Sequence, residues 1–278
     1  MITILTSISI QSAEISRDKE KVMITSTSNS QIKNVINLIK KSKDRKAQGL
    51  FVVEGKRMFE ETPKDRIANL YVSESFERDN GTSLKGYSYE TVTDEVFSHM
   101  SDTKTPQGVM ALVRMKEYSV SDMLTCDSPL IMILENIQDP GNLGTIIRTA
   151  EGAGADGIIM TSGTVDIYNP KVIRSTMGAM YRMKFAYVDN LKETVGLLKS
   201  RNITSYAAHL DGAVDYVTCD YRTGTAFFIG NEGNGLTDEA TALADRKIII
   251  PMKGKLESLN AAVSGAILMY EASRQRRG

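Results

Sequence analysis

The sequence predicts an α/β protein in two parts: a mostly parallel sheet over residues 130–278, preceded by a small α/β domain over residues 23–115. Three observations carry this. Apolar strand-like runs alternate with helical patterns through the second half, which is the order of a parallel sheet. Three segments there, Leu134–Gly154, Phe227–Leu236 and Ile248–Ile267, run from an apolar stretch into a Gly/Asn/Pro-rich turn, and the first and last continue into a helical pattern. At 278 residues the chain is also long enough for two domains that each bury a core. In an open α/β sheet such turns lie at the carboxyl ends of strands, where ligands bind, so three of them point to one composite site.

Residues 1–22 lack the basic start and small-residue cleavage site of a signal peptide, and are expected to be an extension outside the fold, as an upstream start would add. From Ser28 the pattern turns helical, with Ile32, Val35, Ile36 and Ile39 on one apolar face and Ser28 or Asn29 as the cap. Strands are expected at Leu50–Gly55, Asn69–Ser73, Tyr87–Val92 and Gly108–Met115, with helical patterns between several of them. The polar stretch Lys116–Pro129 reads as a linker. Leu130–Glu135 is a nearly continuous apolar run, suited to a strand buried on both faces. A helix near Leu143–Ala153, a strand Gly157–Met160 and a helix near Lys171–Met180 follow. Further strands are expected at Ile203–Ala208, Ala226–Ile229 and Lys247–Ile250, and a last helix from about Ser258 to Gln275.

Net charge is zero, with 34 basic and 34 acidic residues, so only the distribution of charge is informative. Lys33, Lys40, Lys41, Lys43, Arg45, Lys46, Lys56 and Arg57 are opposed between positions 33 and 57 by Asp44 and Glu54 alone. Such a run is either a solvated helix face or a footprint for a phosphate backbone. Cys126 and Cys219 fit no disulfide framework or metal spacing, and His99 and His209 lie far apart, so neither a metal site nor a histidine-dependent triad is expected. No apolar run approaches the ~20 residues of a membrane span, and a cytoplasmic location is expected.

Residues 152–157 spell G-x-G-x-x-G, but the dinucleotide fingerprint needs a strand before it and a helix after it. Here the order is reversed. Glycine at this place is expected to cap a helix C-terminus, where left-handed backbone angles occur.

The segments DPGNLGTIIRT, FIGNEGNGL and IPMKGKLESLNAAVSGA resemble the three signature motifs of the TrmH/SpoU branch of the SPOUT methyltransferases, in order and across roughly Leu130–Arg276. The stretch LFVVEGKRMFEE resembles the RNA-binding domain often found upstream in that family, whose fold is related to kink-turn-binding ribosomal proteins. The resemblance implies transfer of a methyl group from S-adenosylmethionine to a ribose 2′-hydroxyl in RNA, a C-terminal trefoil knot and a homodimer with active sites near its interface. It places Asn142, Arg148, Glu232, Ser258 and Asn260 at the reaction, and the cofactor against Gly230, Ile250 and Leu259, with Asn231 and Met252 beside them.

Physical chemistry agrees with those roles. Arg148 offers five donors in a rigid fork, suited to gripping phosphate and stabilising a developing alkoxide, with the proton leaving by phosphate or water. Glu232, between glycines in a tight turn, is placed to hold Arg148, a nearby asparagine or substrate by charge-assisted hydrogen bonds. Gly230, Gly233 and Gly235 are expected to supply positive φ angles and close backbone approach. Ser258 is a natural N-cap for the last helix. Small residues from Ala261 to Ala266 allow close helix packing, and by resemblance a dimer contact. Phosphate contacts to RNA are expected from Lys33, Lys40, Lys41, Arg45, Lys46, Lys56 and Arg57. Ribosomal RNA is the favoured substrate; transfer RNA, or an RNA-binding assembly protein with a vestigial site, are the alternatives, and a nicotinamide-linked oxidoreductase a distant third.

Overall fold

A computed structural model describes residues 23–209 and 214–277. The expected extension, residues 1–22, lies outside the described residues. In the first part, α1 (Ser30–Lys40) is capped by Asn29, whose side chain accepts from Gln31 N, and buries Ile32, Val35, Leu38 and Ile39. The helix α2 (Ser42–Gln48) stops at Gly49, where φ is +62°. There follow β1 (Leu50–Glu54), α3 (Lys56–Glu61), β2 (Ile67–Ser73), α4 (Glu74–Asn80), β3 (Glu90–Val92), α5 (Asp94–Met100) and β4 (Val109–Arg114). The sheet order is β1-β4-β2-β3, with β4 antiparallel to both neighbours and β3 parallel to β2. The strand expected at Tyr87–Val92 is only three residues long, because the Tyr87 ring leaves to pack on Phe59, centroids 4.9 Å apart.

The second part contains β5 (Leu130–Leu134), α6 (Pro140–Ala153), β6 (Gly157–Thr161), α7 (Pro170–Thr176), β7 (Phe185–Val188), α8 (Leu191–Ser200), β8 (Thr204–Ala208), β9 (Val214–Asp215), β10 (Thr225–Ile229), α9 (Asp238–Leu243), β11 (Arg246–Ile249) and α10 (Ala261–Arg277). Its sheet runs β7-β6-β5-β10-β8-β11-β9 and every pairing is parallel. The middle strands β5 and β10 are buried along their whole length, as the apolar runs require. The pattern did not reveal β7, α8, β9 or α9: β7 is an edge strand half exposed to solvent, and the two residues of β9 carry no periodicity. The helix α6 begins at Pro140, before the first apolar residue Leu143, because Asp139 caps a polar first turn. Gly154 ends it at φ +78°, which is the role the G-x-G-x-x-G decoy was given.

The stretch 116–129 is more than a tether. It forms a 3-10 turn at Val120–Met123 and buries Met123 and Leu124 against the parallel sheet. The two parts also share apolar core. One cluster of buried residues joins Phe51, Val53 and Phe59 of the first part to Tyr168, Val172 and Phe185 of the second, and Phe51 stacks on Tyr168 with centroids 4.7 Å apart. The opposite face of the small sheet has a core of its own beneath α1 and α5.

From β5 the chain winds outward through β6 to β7, then returns on the other side of β5 through β8 and β10. The order therefore reverses between β5 and β10. A crevice opens at the carboxyl ends of strands at such a reversal, and the candidate site lies there.

Candidate active site at the carboxyl end of the parallel sheet

Two turns meet at the reversal. After β5, Asn136 takes a left-handed backbone at φ 55° and the chain enters α6 through Asp139, whose carboxylate accepts from Asn142 N at 2.8 Å. After β10, Asn231 and Gly235 exchange backbone hydrogen bonds of 2.9 Å in both directions, closing a tight loop. Gly230 has no room for a Cβ, which would collide with the backbone of Gly235 and Leu236. Of the three glycines expected to supply positive φ, only Gly235 does, at +69°; Gly233 needs neither the angle nor the space. Asn231 ties the two turns together, donating from Nδ2 to Asn136 O at 2.8 Å while its Oδ1 accepts from Gly233 N and Asn234 N.

Glu135, which sequence reasoning passed over, is buried at the end of β5. Its carboxylate accepts from Thr237 N at 2.8 Å and Thr237 Oγ1 at 2.7 Å, pinning the far end of the glycine-rich loop. A glutamate closing a buried apolar strand was the available signal, since a carboxylate there must find donors.

Three of the five residues expected at the reaction form one hydrogen-bonded chain. Glu232 accepts from Gln138 N at 3.0 Å, Asp139 N at 3.1 Å and Asn142 Nδ2 at 2.9 Å. Asn142 Oδ1 accepts from Asn260 Nδ2 at 2.9 Å, and Asn260 Oδ1 accepts from Ala262 N and Val263 N at the start of α10. An ionised carboxylate only accepts, so each amide's orientation follows from Glu232 outward. Partial burial of Glu232 pushes its pKa up, but the donors Asn142, Gln138 and Asp139 outweigh it and hold the carboxyl below its ordinary range. Asn260 caps α10, so the helix starts at Ala261 and the expected cap at Ser258 is corrected. Ser258 lies in the loop before it and lines the adjoining cleft.

That cleft has a volume of about 430 Å³, within the range of small-molecule sites. All five residues expected at the cofactor, Gly230, Asn231, Ile250, Met252 and Leu259, line it, together with Glu232. His209 and Glu257 line it as well and were not anticipated. Arg148 stands apart. It is exposed on α6, about 9 Å along the axis from Asn142 and on another face, and its side chain makes no hydrogen bond or ion pair to a described residue.

The expected RNA contacts divide. Lys33, Lys40, Lys41, Lys46, Lys56 and Arg57 are exposed. Arg45 is not: it is 3% exposed and its guanidinium meets Asp166 at 2.6 Å, so it fastens the two parts together and is no phosphate contact. Lys40, Lys41 and Lys46 precede β1 and Lys56 and Arg57 follow it, separated by a five-residue strand of roughly 17 Å.

The sequence profile of the SpoU rRNA Methylase family matches residues 129–270, half of the chain, and takes in every residue of the hydrogen-bonded chain and the cleft. The chain belongs to this family. A second profile, the MRM3-like substrate binding domain, matches residues 29–111 of this SpoU methylase. It is 31% identical over 251 residues to the 23S rRNA (guanosine(2553)-2'-O)-methyltransferase RlmP of Bacillus subtilis, covering 89% of this chain and 97% of that one. It is 30% identical to the mitochondrial rRNA methyltransferase 3 of Homo sapiens, over 89% of this chain and 73% of that one. Among solved structures, the SpoU methyltransferase AviRb from Streptomyces viridochromogenes in complex with AdoMet superposes with a TM-score of 0.82 at 26% identity, covering 90% of this chain and 99% of that one.

The cleft of this SpoU methylase suits S-adenosylmethionine by its own chemistry. Gly230 leaves its backbone bare, Ile250, Met252 and Leu259 offer apolar walls, and the carboxylates of Glu232 and Glu257 favour a cationic ligand.

Proposed function

We propose that this chain transfers a methyl group from S-adenosylmethionine to a ribose 2′-hydroxyl of ribosomal RNA, as a homodimer in the cytoplasm. The observation that carries this reading is the Glu232–Asn142–Asn260 chain at the rim of the 430 Å³ cleft. The bound cofactor supplies a methyl group on a sulfonium, already activated, so alignment of the incoming oxygen is what the protein must add.

Asn142 is the third residue of α6 and Asn260 caps α10, so two helix N-termini converge where the attacking oxygen gains negative charge. The Asn142 and Asn260 amides, locked by Glu232, orient the ribose. Glu232 itself, with its pKa lowered, is a weak base at neutral pH and acts as the fixed acceptor of the chain. Arg148 joins the reaction in the dimer. Tyr270 of α10 is 49% exposed with its hydroxyl near Gly152, one helical turn from Arg148, and Val263 of the same helix is 47% exposed. A second copy packed on this face brings Arg148 to the neighbouring site, where it grips phosphate and stabilises the alkoxide.

The RlmP and mitochondrial relatives favour ribosomal RNA as the substrate. The test is transfer of labelled methyl to ribosomal RNA and transfer RNA taken from cells lacking the gene, with the label mapped to a ribose. Label in ribosomal RNA alone supports the reading, and label in transfer RNA alone replaces the substrate.

A further inference from the structure

We propose that Arg45 and Asp166 are a positioning pair for methyl transfer, acting through the β6–α7 connection on the turn that orients Glu232 and Asn142. The inference rests on the methyltransferase reading above.

The guanidinium of Arg45 is satisfied on every side. Nη1 donates to the carbonyls of Leu38 and Ile39 at 2.7 and 3.0 Å, which are among the last of α1. Nε and Nη2 donate to Asp166 Oδ2 at 3.0 and 2.6 Å, and Ser42 Oγ donates to the same oxygen at 2.8 Å. Asp166 Oδ1 accepts from Tyr168 N at 3.0 Å. A buried ion pair adds little stability over well-packed apolar side chains, but it fixes a geometry. Here it fixes α1 and α2, which carry Lys40 and Lys46 with Lys41 between them, against the catalytic end of the parallel sheet.

From Asp166 the connection is zipped to the turn after β5. Val165 N donates to Ile137 O at 2.8 Å, Gln138 Nε2 donates to Gly163 O, and Asn136 N donates to Thr161 Oγ1 at 3.0 Å. A Cβ on Gly163 would collide with the Asn136 side chain, so the two turns pack without slack. The next link is Gln138 N to Glu232 Oε2 at 3.0 Å. Tyr187 holds the connection from β7, donating from its hydroxyl to Val165 O at 2.7 Å and accepting from Ile167 N at 2.9 Å. Arg45 holds it from the RNA-binding part. The lysines that hold RNA and the residues that align its ribose thus share one frame, and a shift of about 1 Å in that frame costs roughly a hundredfold in rate.

The test is steady-state methyl transfer to ribosomal RNA by wild type, Arg45→Ala and Asp166→Asn, with cofactor binding measured on the same samples. The expected result is a kcat lower by about tenfold or more, with KM for RNA and Kd for S-adenosylmethionine within about threefold of wild type, since lysines and cleft are untouched. Asp166→Asn keeps the side-chain shape and reads the same quantities if Arg45→Ala does not fold. With the wild type active, an unaltered kcat in a folded variant overturns the pair's role alone. So does a loss of cofactor affinity in step with kcat, or a raised KM at constant kcat. A wild type inactive on every RNA, yet binding cofactor, overturns the methyltransferase reading and this inference with it.

Discussion

Asn260 donates from Nδ2 to Oδ1 of Asn142 across 2.9 Å, joining residues 118 apart in the chain. The same Asn260 caps α10 through its Oδ1, so substitution can separate that structural duty from the chemical one proposed for it. Asn260→Ala should lose about 1 kcal/mol of stability with the cap, and transfer should fall by about a hundredfold or more. Asn260→Ser restores a capping oxygen but no amide. Its melting temperature should return most of the way to wild type while its rate stays low. Recovery of both together would make Asn260 a cap and nothing else.

Glu232 gives the pH dependence. Its folded-state pKa is lowered, so it stabilises the native state fully above the unfolded carboxylate value of about 4.3, and this is lost as pH falls through the lower folded value. The stability difference between wild type and Glu232→Gln should therefore be constant above about pH 5 and shrink below about pH 4. Thermal melts across that range check it. A difference that changes between pH 6 and 8 would contradict the assignment.

The glycine-rich loop supplies a matched pair. Gly230→Ala drives a methyl group into the backbone of Gly235 and Leu236, and should cost about 1–3 kcal/mol and weaken cofactor binding. Gly233→Ala meets nothing closer than 3.5 Å and should bind cofactor as wild type does. Equal behaviour of the two in calorimetry would show that backbone closure at Gly230 does not shape the cleft.

Much of this was legible in the sequence. The buried strands β5 and β10 announced themselves as apolar runs, and the turns after them as Gly/Asn-rich breaks, so a composite site at the strand ends could be expected, while its individual residues came from the family resemblance. What stayed hidden depended on partners distant in the chain. Arg45 sits in a basic run and reads as a phosphate contact, but its partner Asp166 lies 121 residues away, and nothing local marks it as buried. Ser258 looked like the cap because serine is a common N-cap residue, but the helix starts two residues later and Asn260 caps it. Gly230 and Gly233 look alike in the sequence, and only the crossing backbone of Gly235 and Leu236 separates them.

On the RNA side, Lys40→Ala combined with Lys41→Ala should weaken RNA binding and reduce the slope of log affinity against log salt by about 1.4, two contacts at about 0.7 each for a single strand. Arg45→Ala should leave that slope unchanged, because the buried guanidinium meets no phosphate. Filter binding over a salt series distinguishes them. An Arg45→Ala slope lowered as much as the lysine pair's would return Arg45 to the binding face.

The central claim is that the Glu232–Asn142–Asn260 chain aligns a ribose hydroxyl for methylation. Its most direct test is transfer of labelled methyl from S-adenosylmethionine to ribosomal RNA from cells lacking the gene, by wild type and Asn142→Ala in parallel. The account predicts ribose-linked label with wild type, and a loss of about a hundredfold in the variant with cofactor affinity retained. Label on a base, or an Asn142→Ala rate close to wild type, would contradict it.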